Sequence, residues 1–188
     1  MRKLILAAAG LAVLLGMAGV GWYLVSPLFL TRAVDEDFPA PDPAQLEATQ
    51  AMNAAMAEPT KQMEEPMPGG AAAEAELLAR GEFYPVAHEG RGVAGVYQLD
   101  DGRRLLRFEG FEVLNGPDLH VWLVPVASVP NTIGVEIPGY YDLGELKGNI
   151  GDQNYDFPTD LDQTGPWSVV IWCVPFRVPF AAALLAAP

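Results

Sequence analysis

The sole cysteine of the chain, Cys173, closes an uncharged run, Trp167-Ser168-Val169-Val170-Ile171-Trp172-Cys173. A lone thiol cannot form a disulfide within its own chain, so it either fills apolar space or carries redox chemistry. On a strand of period two it shares a face with Ile171, Val169 and Trp167. Such neighbours raise a thiol's pKa and suppress its reactivity. Against this, Pro175 and Pro179 follow closely and argue that the strand ends or lies at an edge, where a thiol is reachable. If Cys173 reacts, the expected products are a sulfenic acid or a mixed disulfide with a partner protein.

The remaining candidates are weaker. His88 and His120 are the only histidines, and with Cys173 they supply the ligand types of a His2Cys copper site. No histidine follows Cys173 in the loop Val174-Pro175-Phe176-Arg177, so the expected roles are a turn hydrogen bond for His88 and a solvent or sheet neighbour for His120. Met52, Met56, Met63 and Met67 make two i,i+4 pairs of soft thioethers, but no histidine or cysteine stands beside them. Asp152, Asn154, Asp156, Asp160 and Asp162 cluster as calcium ligands do, yet the EF-hand order is absent and turn formation explains them. Ser168 lies on a strand and not in a nucleophile elbow, and neither Gly-x-Ser-x-Gly nor His-Glu-x-x-His occurs. A classical enzyme is not expected. No metal or cofactor site is assigned, and the identity of any cofactor stays open. Trp122, Trp167, Trp172, Tyr140 and Tyr141 read as core and rim packing, with a glycan-binding face as the alternative.

These residues must be positioned by a chain of 188 residues, enough for one domain with a proper core. Arg2 and Lys3 precede an uncharged apolar stretch over 4–30, longer than the roughly 20 residues a spanning helix needs. No convincing cleavage site ends it, and Trp22-Tyr23 suits a membrane interface. Residues 1–31 are therefore expected to be an uncleaved signal anchor. The flanking charges put the N-terminus in the cytoplasm and the rest outside the cell membrane, as a single-pass protein. A net charge of −13 leaves no basic stripe for nucleic acid. Residues 32–80 are rich in Ala, Pro, Glu and Met and are expected to form a largely disordered linker, with helical pieces at 43–57 and 71–80.

From residue 81 to 188 the pattern is β. Residues 92–99 and 103–109 flank Asp100-Asp101-Gly102, a tight hairpin turn. Residues 118–125 alternate, with Leu119, Val121 and Leu123 on one face and His120, Trp122 and Val124 on the other. Further strands are expected at 111–114, 140–143, 167–174 and 176–185. Short strands between Gly, Pro and Asp turns predict an all-β, antiparallel sandwich or barrel-like domain.

Several motifs are specific. They are His88-x6-Gly95, Leu105-x-x-Phe108 with Phe111, Gly116-Pro117-Asp118-Leu119, and Ser168-Val169-Val170-Ile171-Trp172-Cys173-x-x-Phe176. The longest is Leu143-Gly144-x-Leu146-Lys147-Gly148-Asn149-Ile150-Gly151-Asp152-Gln153-x-Tyr155-x-x-Pro158. In these residues 81–185 resemble the DM13 domain family, and the anchor and spacer resemble an arrangement recurrent in bacterial proteins. The resemblance implies an all-β extracytoplasmic domain and a redox or electron-transfer accessory role, with Cys173 as the redox centre and a redox partner protein. The competing function class is a non-catalytic binding or adhesion domain, in which Cys173 is structural and the loop 127–139 contacts a partner.

Overall fold

The computed structural model describes residues 2–26, 30–39, 75–159, 161 and 165–188. The helix expected at 43–57, the four spacer methionines, Asp160 and Asp162 lie outside the described residues. An α-helix, α1, runs Arg2–Val25, and the large apolar side chains described along it are exposed. Among the described residues no helix is long and apolar enough to cross a membrane.

Eight strands follow: β1 Glu76–Pro85, β2 Gly90–Gln98, β3 Arg104–Val113, β4 Leu119–Val124, β5 Tyr141–Glu145, β6 Gln153–Phe157, β7 Trp167–Cys173 and β8 Val178–Leu185. They form one antiparallel sheet in the order β5-β4-β7-β8-β1-β2-β3-β6. The sheet curls until its edge strands β5 and β6 approach, a nearly closed barrel instead of the two-layered sandwich alternative. The corner is β1, whose first part pairs with β2 and whose last residues, Phe83, Tyr84 and Pro85, pair with β8. Gly81 sits at that corner because a Cβ there would overlap the Leu184 carbonyl of β8. Strand β1 also corrects the helix expected at 71–80: Glu76-Leu77-Leu78-Ala79-Arg80 favours helix by propensity, but pairing with β2 wins.

Alternation decides what goes inside. Leu119, Val121 and Leu123 of β4 join Val169, Ile171 and Cys173 of β7 in the barrel core, around Phe83, Phe108, Phe111 and Phe180. The other faces of the same strands are not solvated. Trp122, Val124, Val170, Trp172 and Ala182 form a second apolar cluster covered by Val129 and Ile137. Both covering residues belong to the loop 127–139, so this part of the expected contact loop is itself a lid on the outer face.

The linker is not free throughout. Residues 32–38 form a strap along the turn block before β6: Val34 N–H donates to Ile150 O at 2.9 Å and Glu36 N–H to Asp152 O at 3.0 Å. The Glu36 carboxylate meets Lys147 Nζ at 2.8 Å and accepts the Asn154 N–H at 2.7 Å. Burial works against the Glu36 charge, but the Lys147 ammonium and the Asn154 amide outweigh it and hold the pKa below its ordinary value of 4.5. A carboxylate lowered by folding contributes fully above its unfolded pKa and loses that contribution as pH falls through the folded one. NMR signals of the Val34 and Asn154 amides are expected to shift together as wild type is acidified below pH 4.5. In Glu36→Gln they should stay put. Identical titrations in the two proteins would disprove the assignment.

Candidate functional site

Cys173 ends β7 opposite Leu119 on one side and Val178 on the other. Its sulfur donates to the Pro117 carbonyl at 3.2 Å. Two turns close over it, the one entering β4 and the one joining β7 to β8, and they are tied by Val174 N–H to Asp118 O at 3.1 Å. Cys173 is 0% exposed, although its chain neighbours Val174 and Phe176 are exposed. Strand β7 does end before Pro175, but Pro179 lies within β8, β7 is an interior strand of the sheet, and the rim does not open onto the thiol. Burial raises the thiol pKa, the nearby Asp118 charge adds to that, and the Phe176 amide opposes it. The thiolate is therefore disfavoured, and the sulfur presents no surface to an oxidant or a partner thiol in this arrangement.

The outer face of β4 and β7 carries the other candidates. The Trp122 ring stacks on Trp172 at a centroid distance of 4.5 Å and on Tyr140 at 3.8 Å. Trp172 is 1% exposed and Tyr140 38%, so the three rings lead from the chain neighbour of Cys173 to the surface. Trp122 Nε1 is buried and has no hydrogen-bond partner among the described residues. His120 pairs across β4–β7 with Trp172 and across β4–β5 with Glu145. Its Nδ1 lies 2.9 Å from Asp142 Oδ2 and its Nε2 3.3 Å from Asp118 Oδ1. Burial disfavours its imidazolium, but Asp142 and then Asp118 outweigh burial and the pKa rises. His88 stacks instead on Phe180 at 4.1 Å. Among the described residues, the group with metal-ligand proximity is Asp118, His120 and Glu145, not the two histidines with Cys173.

Residues 82–185 match the family described as Electron transfer DM13. The chain belongs to the DM13 family. No curated protein and no solved structure matches it.

The long motif by which the DM13 resemblance was read turns out to be a buried polar fastening. Gln153, 0% exposed, points into the barrel. Its Nε2 donates to Gly148 O at 2.8 Å, and its Oε1 accepts from Tyr155 Oη at 2.7 Å and Gly148 N–H at 3.1 Å. Burial pushes the Tyr155 phenol up, so it stays protonated and donates. Asn149 donates to Val113 O and accepts from Arg32 N–H. Asp152 and Asn154 accept from Arg107 at 2.8 and 2.9 Å. These acids and amides of the DM13 domain, read from the sequence as calcium ligands or turn formers, fasten the strap. Gly151 carries φ 101°, and a Cβ there would overlap the Val34 carbonyl of the strap.

Proposed function

We propose that this DM13 protein is a membrane-tethered, extracytoplasmic electron-transfer module in which Cys173 is the redox group and Trp172, Trp122 and Tyr140 conduct to a partner protein. The family match supports electron transfer. The observation that carries the route is the ring stack, at 4.5 and 3.8 Å, running from the strand of Cys173 to a half-exposed tyrosine. Burial disfavours the thiolate, so the oxidation suited to this site removes one electron and the thiol proton together. The electron passes through the rings to a one-electron acceptor protein of the haem or quinone class. The thiol proton, now hydrogen-bonded to the Pro117 carbonyl, goes to water admitted between the two turns, since that carbonyl is not itself a base. The tether is supported by the apolar stretch over 4–30 and by the exposed apolar side chains all round α1.

One-electron oxidation of the purified protein, followed by electron paramagnetic resonance, tests the route. The aromatic radical is expected to decay onto sulfur in wild type and to persist in Cys173→Ala. Equal lifetimes in the two would remove the thiol from the pathway. In the same preparations, deletion of residues 1–31 should move the protein from the membrane to the soluble fraction; continued membrane association would disprove the tether. A second reading has its own support, since the sulfur is fully enclosed among apolar side chains. If the radical never reaches it, Cys173 is core filling and a binding domain is the better description.

A further inference from the structure

We propose that Asp118, His120 and Glu145 bind a divalent first-row transition metal on the outer face of β4 and β5. This site does not depend on the electron-transfer reading. One imidazole nitrogen and one oxygen from each carboxylate lie within 4.8 Å of one another. The fold builds that proximity directly: His120 and Glu145 face each other across the β4–β5 ladder, and Asp118 precedes His120 by two residues. The 3.3 Å between His120 Nε2 and Asp118 Oδ1 matches the roughly 3.3 Å edge of a tetrahedron with bonds near 2.0–2.1 Å. Rotation of the exposed Glu145 side chain completes the third bond.

Asp142 supplies what a ligating histidine needs behind it. Its carboxylate holds Nδ1 at 2.9 Å, which keeps Nδ1 protonated and leaves Nε2, on the Asp118 side, as the nitrogen that a metal would take in place of a proton. Charge argues the same way. Asp118, Asp142 and Glu145 converge on a single imidazole, and among the described residues no lysine or arginine forms an ion pair with any of them. A cavity of about 410 Å³, lined by Tyr23, Leu30, Arg32, Asn115, Asp118 and Glu145 among others, reaches the two carboxylates of the cluster. Three protein ligands and an open side describe an accessible site, not a closed structural one. One imidazole with two carboxylates and no thiolate suits Zn2+, Cu2+, Fe2+ or Mn2+, and disfavours Cu+. Cys173 takes no part, because it faces the barrel interior.

The full chain in detergent, titrated with Zn2+ by calorimetry and with Cu2+ by electron paramagnetic resonance, is the test. One ion per chain is expected, with hyperfine coupling to a single nitrogen and full reversal by a chelator. His120→Asn should abolish the nitrogen coupling. Asp142→Asn should weaken binding about 10–100-fold without removing a ligand. Glu145→Gln, at an exposed position that leaves the fold intact, should weaken it at least tenfold, and His88→Asn should leave it unchanged. Failure to bind either ion at neutral pH would overturn the site, leaving His120 a hydrogen-bond partner of its carboxylates and nothing more. So would Cu2+ binding that keeps its nitrogen coupling in His120→Asn, or Zn2+ affinity unchanged in Glu145→Gln.

Discussion

Replacing Arg107 with methionine should destabilise the β domain by about 3–5 kcal/mol, the cost of breaking a buried ion pair from one side. Arg107 is 7% exposed and stands on β3 where the strap, the turn block and β6 converge. Its Nη2 meets Asp152 Oδ2 at 2.8 Å, and its Nη1 donates to Asn154 Oδ1 and to the Glu36 carbonyl, both at 2.9 Å. The guanidinium also lies 5.9 Å from the Phe38 ring centroid. Methionine refills the volume but leaves a half-buried carboxylate, an amide oxygen and a carbonyl without their donor. Asp152 keeps the Gly110 N–H at 2.8 Å, which favours the lower end of the range. Arg107→Lys should recover only part of the loss, because a point charge cannot serve these acceptors and the Glu109 carboxylate, 3.2 Å from Nε, in a planar fork. Urea unfolding with an unchanged m-value checks the figure. Faster hydrogen exchange at Val34 and Glu36 should accompany it, since the strap loses its anchor. A shift below about 1 kcal/mol in R107M would show that the acceptors find water instead.

What the sequence disclosed depended on whether the information was local. The period of two in β7 grouped Cys173 on one face with Val169 and Ile171, and the structure turns that face into the barrel core. The Asp-Gly turn between β2 and β3 was equally local. Strand β6 escaped notice although its residues alternate, because its first inward side chain is Gln153, and a polar residue pointing inward defeats any hydropathy template. The strap escaped for a related reason: Val34 and Glu36 are held through backbone hydrogen bonds, which leave no mark on composition. The enclosure of Cys173 depends on two distant turns meeting over it, and the His120 cluster depends on the β4–β5 register, which is shifted by a bulge between His120 and Trp122. Neither is written in one segment. The thiol's face was therefore legible and its accessibility was not.

Trp172→Ala should cost about 3–5 kcal/mol, the range for emptying a buried tryptophan site. The indole is 1% exposed and fills the second cluster between the sheet and the loop carrying Val129 and Ile137. Trp122 would lose the stacking partner at 4.5 Å, adding about 0.5–1.5 kcal/mol beyond area. A variant this damaged says little about electron flow, so the informative substitution is Trp172→Phe. A phenyl ring keeps most of the volume and should limit the loss to about 1–2 kcal/mol. It is also far harder to oxidise than an indole, so it interrupts the ring route while leaving Cys173 in place. Trp172→Phe should then behave like Cys173→Ala in the oxidation experiment, with a radical stranded on Trp122 or Tyr140. If it retains the wild-type decay, the stack is packing alone, and any electron leaving sulfur must depart through the barrel interior.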